Sequence, residues 1–302
     1  SHVQVGVIAA CSVEEYDDGR IAKHEFTRPD KEDDRTHHME VLDAQVGLVF
    51  LAYRPSPTID AIVAQATSAE PNWRVTTDDG VIHTLWRLPS AQVPALREAF
   101  AALDRLYIAD GHHRSAAASR VHANRGDDAS SLFLAGLYPS DQLQVLAYNR
   151  VVLDLNGHSD EAFLAAVDAA WHREPATTGV PARAGVVHMY FQGAWHALAP
   201  KQPAGNDPVA VLDVARLQDE LLQPILGIDD PRRSTRIRFV GGIRGAKELV
   251  RQVDAGAAVA FHLFPTSLDQ LFDVADADRV MPPKSTWFEP KLREGVAVRL
   301  LS

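Results

Sequence analysis

The chain is poor in several things, and each shortage excludes something. Cys11 is its only cysteine among 302 residues, so no internal disulfide can form and a reducing cytoplasm suits it. Cys11 sits in the apolar run Val5–Val13 and reads as a buried structural thiol. No apolar run reaches the roughly 18 residues that a membrane span needs. The first residues show no basic stretch ahead of an apolar core, so no secretory signal is visible and a cytoplasmic location is expected. There is no CxxC or HExxH pair for zinc, no GxxxxGK[ST] loop and no GxSxG elbow. Basic residues are outnumbered, 30 Lys and Arg against 40 Asp and Glu, for a net charge of −10. Duplex binding leans on clustered Lys and Arg, so a nucleic-acid partner is not expected. The one basic cluster, Arg232, Arg233, Arg236 and Arg238, is small and interleaved with Asp229 and Asp230. Internal repeats and low-complexity tracts are lacking too.

What is present suits a globular protein with a proper core, at 46% hydrophobic residues. Its most informative stretch is Leu106–Arg120, LYIADGHHRSAAASR. Leu106, Tyr107 and Ile108 form a short β-favouring run, Ala109-Asp110-Gly111 is a turn, and the Ala-rich continuation favours a helix. Strand, glycine turn and helix start together aim backbone N–H groups and the positive end of a helix dipole at one spot, where a phosphate fits. Gly111 permits a close approach or a positive φ. Arg114 can fork onto two phosphate oxygens. His112 and His113 are of the residue type that titrates near neutrality, and Asp110 can orient one of them. Asp110 as a simple helix cap and the histidines as ordinary polar residues are the plain alternative.

A second stretch, Thr27–His38, is dense in charge and nearly free of apolar residues. It reads either as a solvated loop or helix start, or as a phosphate and divalent-metal site. In the second reading Arg28 and Arg35 hold phosphate, Asp33 and Asp34 supply oxygens to a hard cation such as Mg2+, and Asp30 and Glu32 are available for proton chemistry. Phe239–Gly245, FVGGIRG, repeats the logic of strand, glycine turn and helix, and Arg244 there is a candidate for a second anion. Met281–Leu292, MPPKSTWFEPKL, is extended by its prolines. As a lid it would offer Lys284 as a phosphate clamp and Trp287 as a stacking surface. The pairs His37-His38 and His112-His113, with nearby carboxylates, could in principle bind a transition metal, although adjacent histidines rarely point at one ion.

The remaining pattern alternates strands and helices. Strands are expected at Val3–Val13, Arg20–Phe26, Val46–Arg54, Leu132–Tyr138 and Leu143–Leu153, with a hairpin-like turn at Asp17-Asp18-Gly19. Hairpins are expected around Asp78-Asp79-Gly80 and Gln192-Gly193-Ala194. Helices are expected at Thr58–Thr67, Ser90–Leu103, Ser159–Ala170, Val211–Leu222, Lys247–Asp254 and Ser267–Ala275. This is an α+β protein of mixed β-sheets with packed helices in two lobes, 1–153 carrying the DGHHR loop and 154–302 forming a C-terminal α/β lobe, with the boundary near Asp154.

The DGHHR run resembles the phosphate loop of the ParB/sulfiredoxin-like superfamily, which includes nucleotide-binding partition proteins, sulfiredoxin and free-serine kinases. A wider resemblance covers nearly the whole chain. KHEFTRPDKEDDR (23–35), IADGHHR (108–114), LQPILGIDDPR (222–232), FVGGIRG (239–245) and MPPKSTWFEPKL (281–292) are similar to the uncharacterised bacterial family known as domain of unknown function 1015. Members of that family carry a further region ahead of Val3, so part of a nucleotide or substrate site is expected to lie outside these residues. The superfamily resemblance implies a purine nucleotide with Mg2+ as cofactors and phosphoryl transfer to a small, serine-like metabolite. In that reading Gly111 and the amides after it cradle phosphate, Arg114 neutralises it, and Asp110, His112 or His113 handles a proton or a magnesium-bound water. A nucleotide switch of the partition type and a phosphatase-like hydrolase are the alternatives.

Overall fold

The computed structural model describes residues 2–302, which pack into two compact units: one runs up to Gln144 and takes in Pro290–Ser302, and the other is Val145–Glu289. The boundary expected at Asp154 falls inside the second unit. Mixed sheets with helices packed on them make this an α+β protein, and none of the sheets closes.

The first unit is built on a five-stranded sheet. Its elements are β1 (Val7–Ser12), α1 (Val13–Asp17), β2 (Ile21–Ala22), α2 (Pro29–Leu42), β3 (Ala44–Gln45), β4 (Val49–Tyr53), α3 (Pro57–Thr67), β5 (Trp73–Thr76), β6 (Ile82–Leu85), α4 (Val93–Ala101), β7 (Leu106–Asp110), α5 (His112–Arg125) and β8 (Leu132–Pro139). The sheet order is β1-β8-β4-β7-β2. β1 with β8 and β4 with β7 are antiparallel, whereas β4 with β8 and β2 with β7 are parallel. β4, VFLAY, is buried along its whole length, as a continuous apolar run in a central strand should be. The alanine face of α5, Ala117 and Ala118, packs with Leu51, Ile108 and Phe133 in the core. Small side chains there let the helix lie close over the sheet.

Differences from expectation have local causes. The chain does not turn back as a hairpin at Asp17–Gly19. Ser12 and Glu15 have the spacing of an N-capping box, and Ser12 Oγ accepts the Glu15 N–H at 3.3 Å to start α1. β2 then joins β7, not β1. Thr27–His38 is mostly helix: Pro29 opens α2, where its missing N–H costs nothing, and acidic Asp30 and Glu32 fill the first turn. Ser90 starts a short 3-10 turn instead of capping a helix, and the α-helix begins at Val93 with Pro94 in its first turn. Arg299–Leu300 pairs with β3 and returns the C-terminal segment to this unit.

After β9 (Gln144–Leu146), which spans the boundary, the second unit holds β10 (Tyr148–Val152), α6 (Asp160–Ala170), β11 (Trp171–Pro175), β12 (Val187–Phe191), β13 (Ala194–Pro200), α7 (Asp213–Leu217), β14 (Ile237–Gly241), α8 (Gly245–Asp254), β15 (Val259–His262), α9 (Leu268–Asp276) and β16 (Trp287–Glu289). Its six-stranded sheet runs β11-β13-β12-β15-β10-β14, antiparallel throughout. The helix expected over Val211–Leu222 is α7 followed by a π turn over Gln218–Leu222. β14 is an edge strand, and α8 packs Leu249 against Val151, Val240 and Ala260 of the sheet.

Candidate functional site

β7 delivers Asp110 to the end of a buried strand, and the chain turns at once into α5. Gly111 makes that turn as the N-cap of α5, at φ 99°, a conformation that costs an L-residue with a side chain about 1–2 kcal/mol. The expected order of strand, glycine and helix is therefore present. The first turn of a helix has N–H groups without intrahelical acceptors, and this one opens beside a ring of charged side chains.

Those side chains come from three directions. Arg114 sits within the first turn of α5 and binds the carboxylate of Glu294 and, at 3.3 Å, the carbonyl of Leu48. Its path runs over Gly47, where a Cβ would lie 2.7 Å from Arg114 Nε. Asp110, about half exposed, is paired with Lys291 at 2.8 Å. The segment leading into α2 closes the third side. The Arg28 N–H donates to His113 Nε2 at 3.1 Å, and the His24 N–H points at His112 Nε2 at 3.5 Å. Thr27–His38 and the DGHHR loop thus converge, with α2 lying along α5.

The two loop histidines differ in access. His112 is buried and meets the ring of His24 edge-on, with centroids 4.5 Å apart. Burial, then the neighbouring His24, holds its imidazole well below the usual range, and burial pushes His24 down to about 4. Burial thus favours the neutral form of both rings, and His112, expected to handle a proton, is packed away from solvent. His113 lies nearer the surface.

The acidic residues of α2 divide between partners. Glu32 accepts a hydrogen bond from the Thr27 hydroxyl, and Arg120 of α5 lies 3.6 Å from Glu32 and 2.7 Å from Asp33. Asp30 forks onto Arg28 at 3.0 and 3.1 Å, and Asp34 lies 3.7 Å from Arg35. Asp33 and Asp34, expected to share a cation, do not converge: consecutive helical residues face different ways. Among the described residues no group of three or more His, Cys, Asp or Glu side chains is placed to hold a metal. These residues do not fit a preformed magnesium cage.

Two expected phosphate ligands belong to the second unit. Arg244 ends the short turn Gly242–Arg244 and is exposed. The Lys284 ammonium lies 5.6 Å over the ring of Tyr148, on a backbone with φ 58°. Trp287 packs edge-on against Tyr148 and donates its indole N–H to Glu289 at 2.8 Å. Sequence reasoning gave no site role to Lys291 or Glu294, the two residues that reach the loop from the C-terminal side. The signal was available for Lys291, inside the MPPKSTWFEPKL stretch. For Glu294 and Gly47 there was none, since contact with Arg114 is made only in three dimensions.

Comparison with solved structures finds folds of this kind at low identity. The C-terminally truncated SbnI from Staphylococcus aureus is 11% identical with a TM-score of 0.50, over 97% of this chain and 87% of that one. A conserved hypothetical protein from Pyrococcus furiosus is 11% identical with a TM-score of 0.42, over 97% and 94%. A free serine kinase mutant in complex with ADP is 12% identical with a TM-score of 0.44, over 95% and 88%. No protein of curated description matches the sequence. The model of a family described as protein of unknown function, DUF1015, matches residues 1–215. The chain belongs to that family.

Proposed function

We propose that the Gly111 loop cradles the phosphates of a purine nucleotide and that the protein transfers a phosphoryl group to a small, serine-like metabolite. One observation carries this reading: at the opening of α5, Arg114 and Lys291 are each paired with a carboxylate, Glu294 and Asp110. A phosphate group can replace either carboxylate partner, adding the helix amides that a carboxylate on a side chain does not reach. The likeness to the kinase structures is one of fold and does not carry the argument.

In this reading Arg114 exchanges Glu294 for phosphate oxygens, and Lys291 leaves Asp110 for the same charge. Arg28, tied to His113 through its backbone, adds its guanidinium at the rim, and Arg35 on α2 extends the same positive edge. The substrate hydroxyl forms its new bond to phosphorus while its proton passes to the freed Asp110 carboxylate, and the bond to the nucleoside diphosphate breaks. His113 holds the Arg28 segment in place, while Glu32 and Asp30 order the start of α2. Magnesium characteristically keeps several waters and takes phosphate oxygens with one or two carboxylates.

Calorimetry with ADP on the wild type, Arg114→Ala and Arg114→Lys tests the reading. A lost charge-assisted fork of about 1.5–3 kcal/mol predicts roughly 10- to 100-fold weaker binding for the alanine variant. The lysine variant should lie between, having charge without the fork. Equal affinity in all three would remove Arg114 from the site. Turnover is read separately, with ATP and serine. A phosphorylated product supports transfer, phosphate release alone means a hydrolase, and tight binding without either means a switch.

A further inference from the structure

The FVGGIRG turn lies in the second unit and the reading above leaves it unused. β14 ends there as the edge strand of its sheet, and α8 starts from it. Between them lies a cavity of about 430 Å3 lined by Leu153, Arg238, Arg244, Glu248, Arg251, Gln252 and Ala255–Ala257. A volume of this order is that of a small-molecule site.

The charges in it are unequal. Arg238 stands opposite Val151 in the ladder, on the face that α8 covers, and its head reaches the exposed rim. Arg244 projects from the turn at the start of α8. Arg251 is the third guanidinium, and Glu248 takes it in a two-bond fork at 2.8 and 2.7 Å. Gln252 also donates to Glu248, at 2.8 Å. The single carboxylate of the lining is forked by Arg251 and also feels the charge of Arg244, so three guanidiniums share one acid and the cavity keeps a positive surplus. In a chain of net charge −10, a concave surface with three guanidiniums to one carboxylate is a local exception. The turn that sets them is tightly built. A Cβ on Gly242 would lie 2.5 Å from the Ala147 carbonyl, and one on Gly241 would lie 2.6 Å from the Trp287 ring. Only glycines let the strand turn there and present Arg244 beside Arg238.

We infer that this cavity is a second anion site, separate from the Gly111 loop, which takes a phosphate-bearing small molecule through Arg238 and Arg244. Guanidinium forks match phosphate oxygens two at a time. Glu248 keeps Arg251 fixed as the wall of the site and sets an upper limit on the negative charge it tolerates. A small ligand is favoured over nucleic acid because the neighbouring cations Arg232, Arg233 and Arg236 are paired with Asp230 or Asp154, whereas a duplex needs a run of available cations along its backbone.

Arginine footprinting on the wild-type protein tests the site directly. Phenylglyoxal modification of the peptides carrying Arg238 and Arg244 is followed by mass spectrometry with inorganic pyrophosphate and with sodium chloride at the same ionic strength. Pyrophosphate should slow modification of both residues severalfold relative to chloride, and Arg238→Gln/Arg244→Gln should lose the matching binding event in calorimetry on an Arg114→Ala background. Equal modification rates in the two salts would overturn the inference, as would protection by a short DNA duplex but not by pyrophosphate. The readout is local to these peptides, so it stands whether or not the Gly111 loop binds nucleotide.

Discussion

Acid should loosen the first unit through a histidine that never meets solvent. His24 is buried against His112, and its imidazole binds a proton only near pH 4 in the folded chain, against about 6.5 when unfolded. Between those values the unfolded state binds more protons, so stability rises with pH across the window and is lost as pH falls through it. The full loss amounts to roughly 3 kcal/mol below pH 4, with about 2 kcal/mol of it already gone at pH 5. His112, shifted in the same direction, adds to the loss. Asp213 works against it: burial raises its carboxyl to about 6, so it favours the folded state as pH falls toward the ordinary carboxylate range. The wild-type curve therefore mixes signs, and the useful quantity is the difference from His24→Leu. That substitution removes a buried Nδ1 that has no hydrogen-bond partner, and it should cost within about 1 kcal/mol at pH 8. Two compact units need not unfold together, so the measurement is amide exchange of the peptides spanning β7 and α5, corrected for the intrinsic pH dependence of exchange. The drop in opening free energy from pH 8 to pH 5 should be smaller in His24→Leu by about 2 kcal/mol. An identical drop in both proteins would refute the reasoning, because the proton would then be going elsewhere.

Gly111→Ala should destabilise the first unit by about 1–2 kcal/mol, read in the same exchange experiment, since its φ of 99° is strained for any side chain. Asp213→Asn should stabilise the second unit by about 1–2 kcal/mol at pH 8 and have little effect at pH 4, because it removes a charge that burial disfavours while keeping an acceptor for the Gly185 N–H; urea melts at the two pH values decide it. Phe26 is 65% exposed between His24 and Arg28, whose backbones touch the loop histidines. If it stacks on the purine, Phe26→Ala weakens ADP about tenfold and leaves pyrophosphate binding unchanged, on a stacking contribution of about 1–3 kcal/mol.

What the sequence made legible was local. Leu106–Gly111 reads as strand and turn because apolar run, glycine and alanine-rich helix all agree, and Gln192-Gly193 reads as a hairpin because both residues take positive φ there. Thr27–His38 was half legible. Its polarity announced exposure, but Pro29 with acidic residues behind it is a helix start, and its role as a neighbour of the loop lay in folding. The burial of His112 was not legible at all, because its partner His24 is distant in sequence and nothing in DGHHR says which histidine turns inward. The same holds for Glu294 and Arg114, joined across the whole second unit. Contacts of that range follow from chain topology, and residue type alone does not encode them.

That range has a consequence for biosynthesis. Pro290–Ser302 belongs to the unit formed by the first half of the chain, so a ribosome must finish all of Val145–Glu289 before Lys291 and Glu294 exist. Until then the nascent loop carries Asp110 and Arg114 without their ionic partners, and β3 lacks the strand that pairs with it. The second unit is topologically an insertion, free to fold on emergence from the exit tunnel, while the unit translated first is the one completed last.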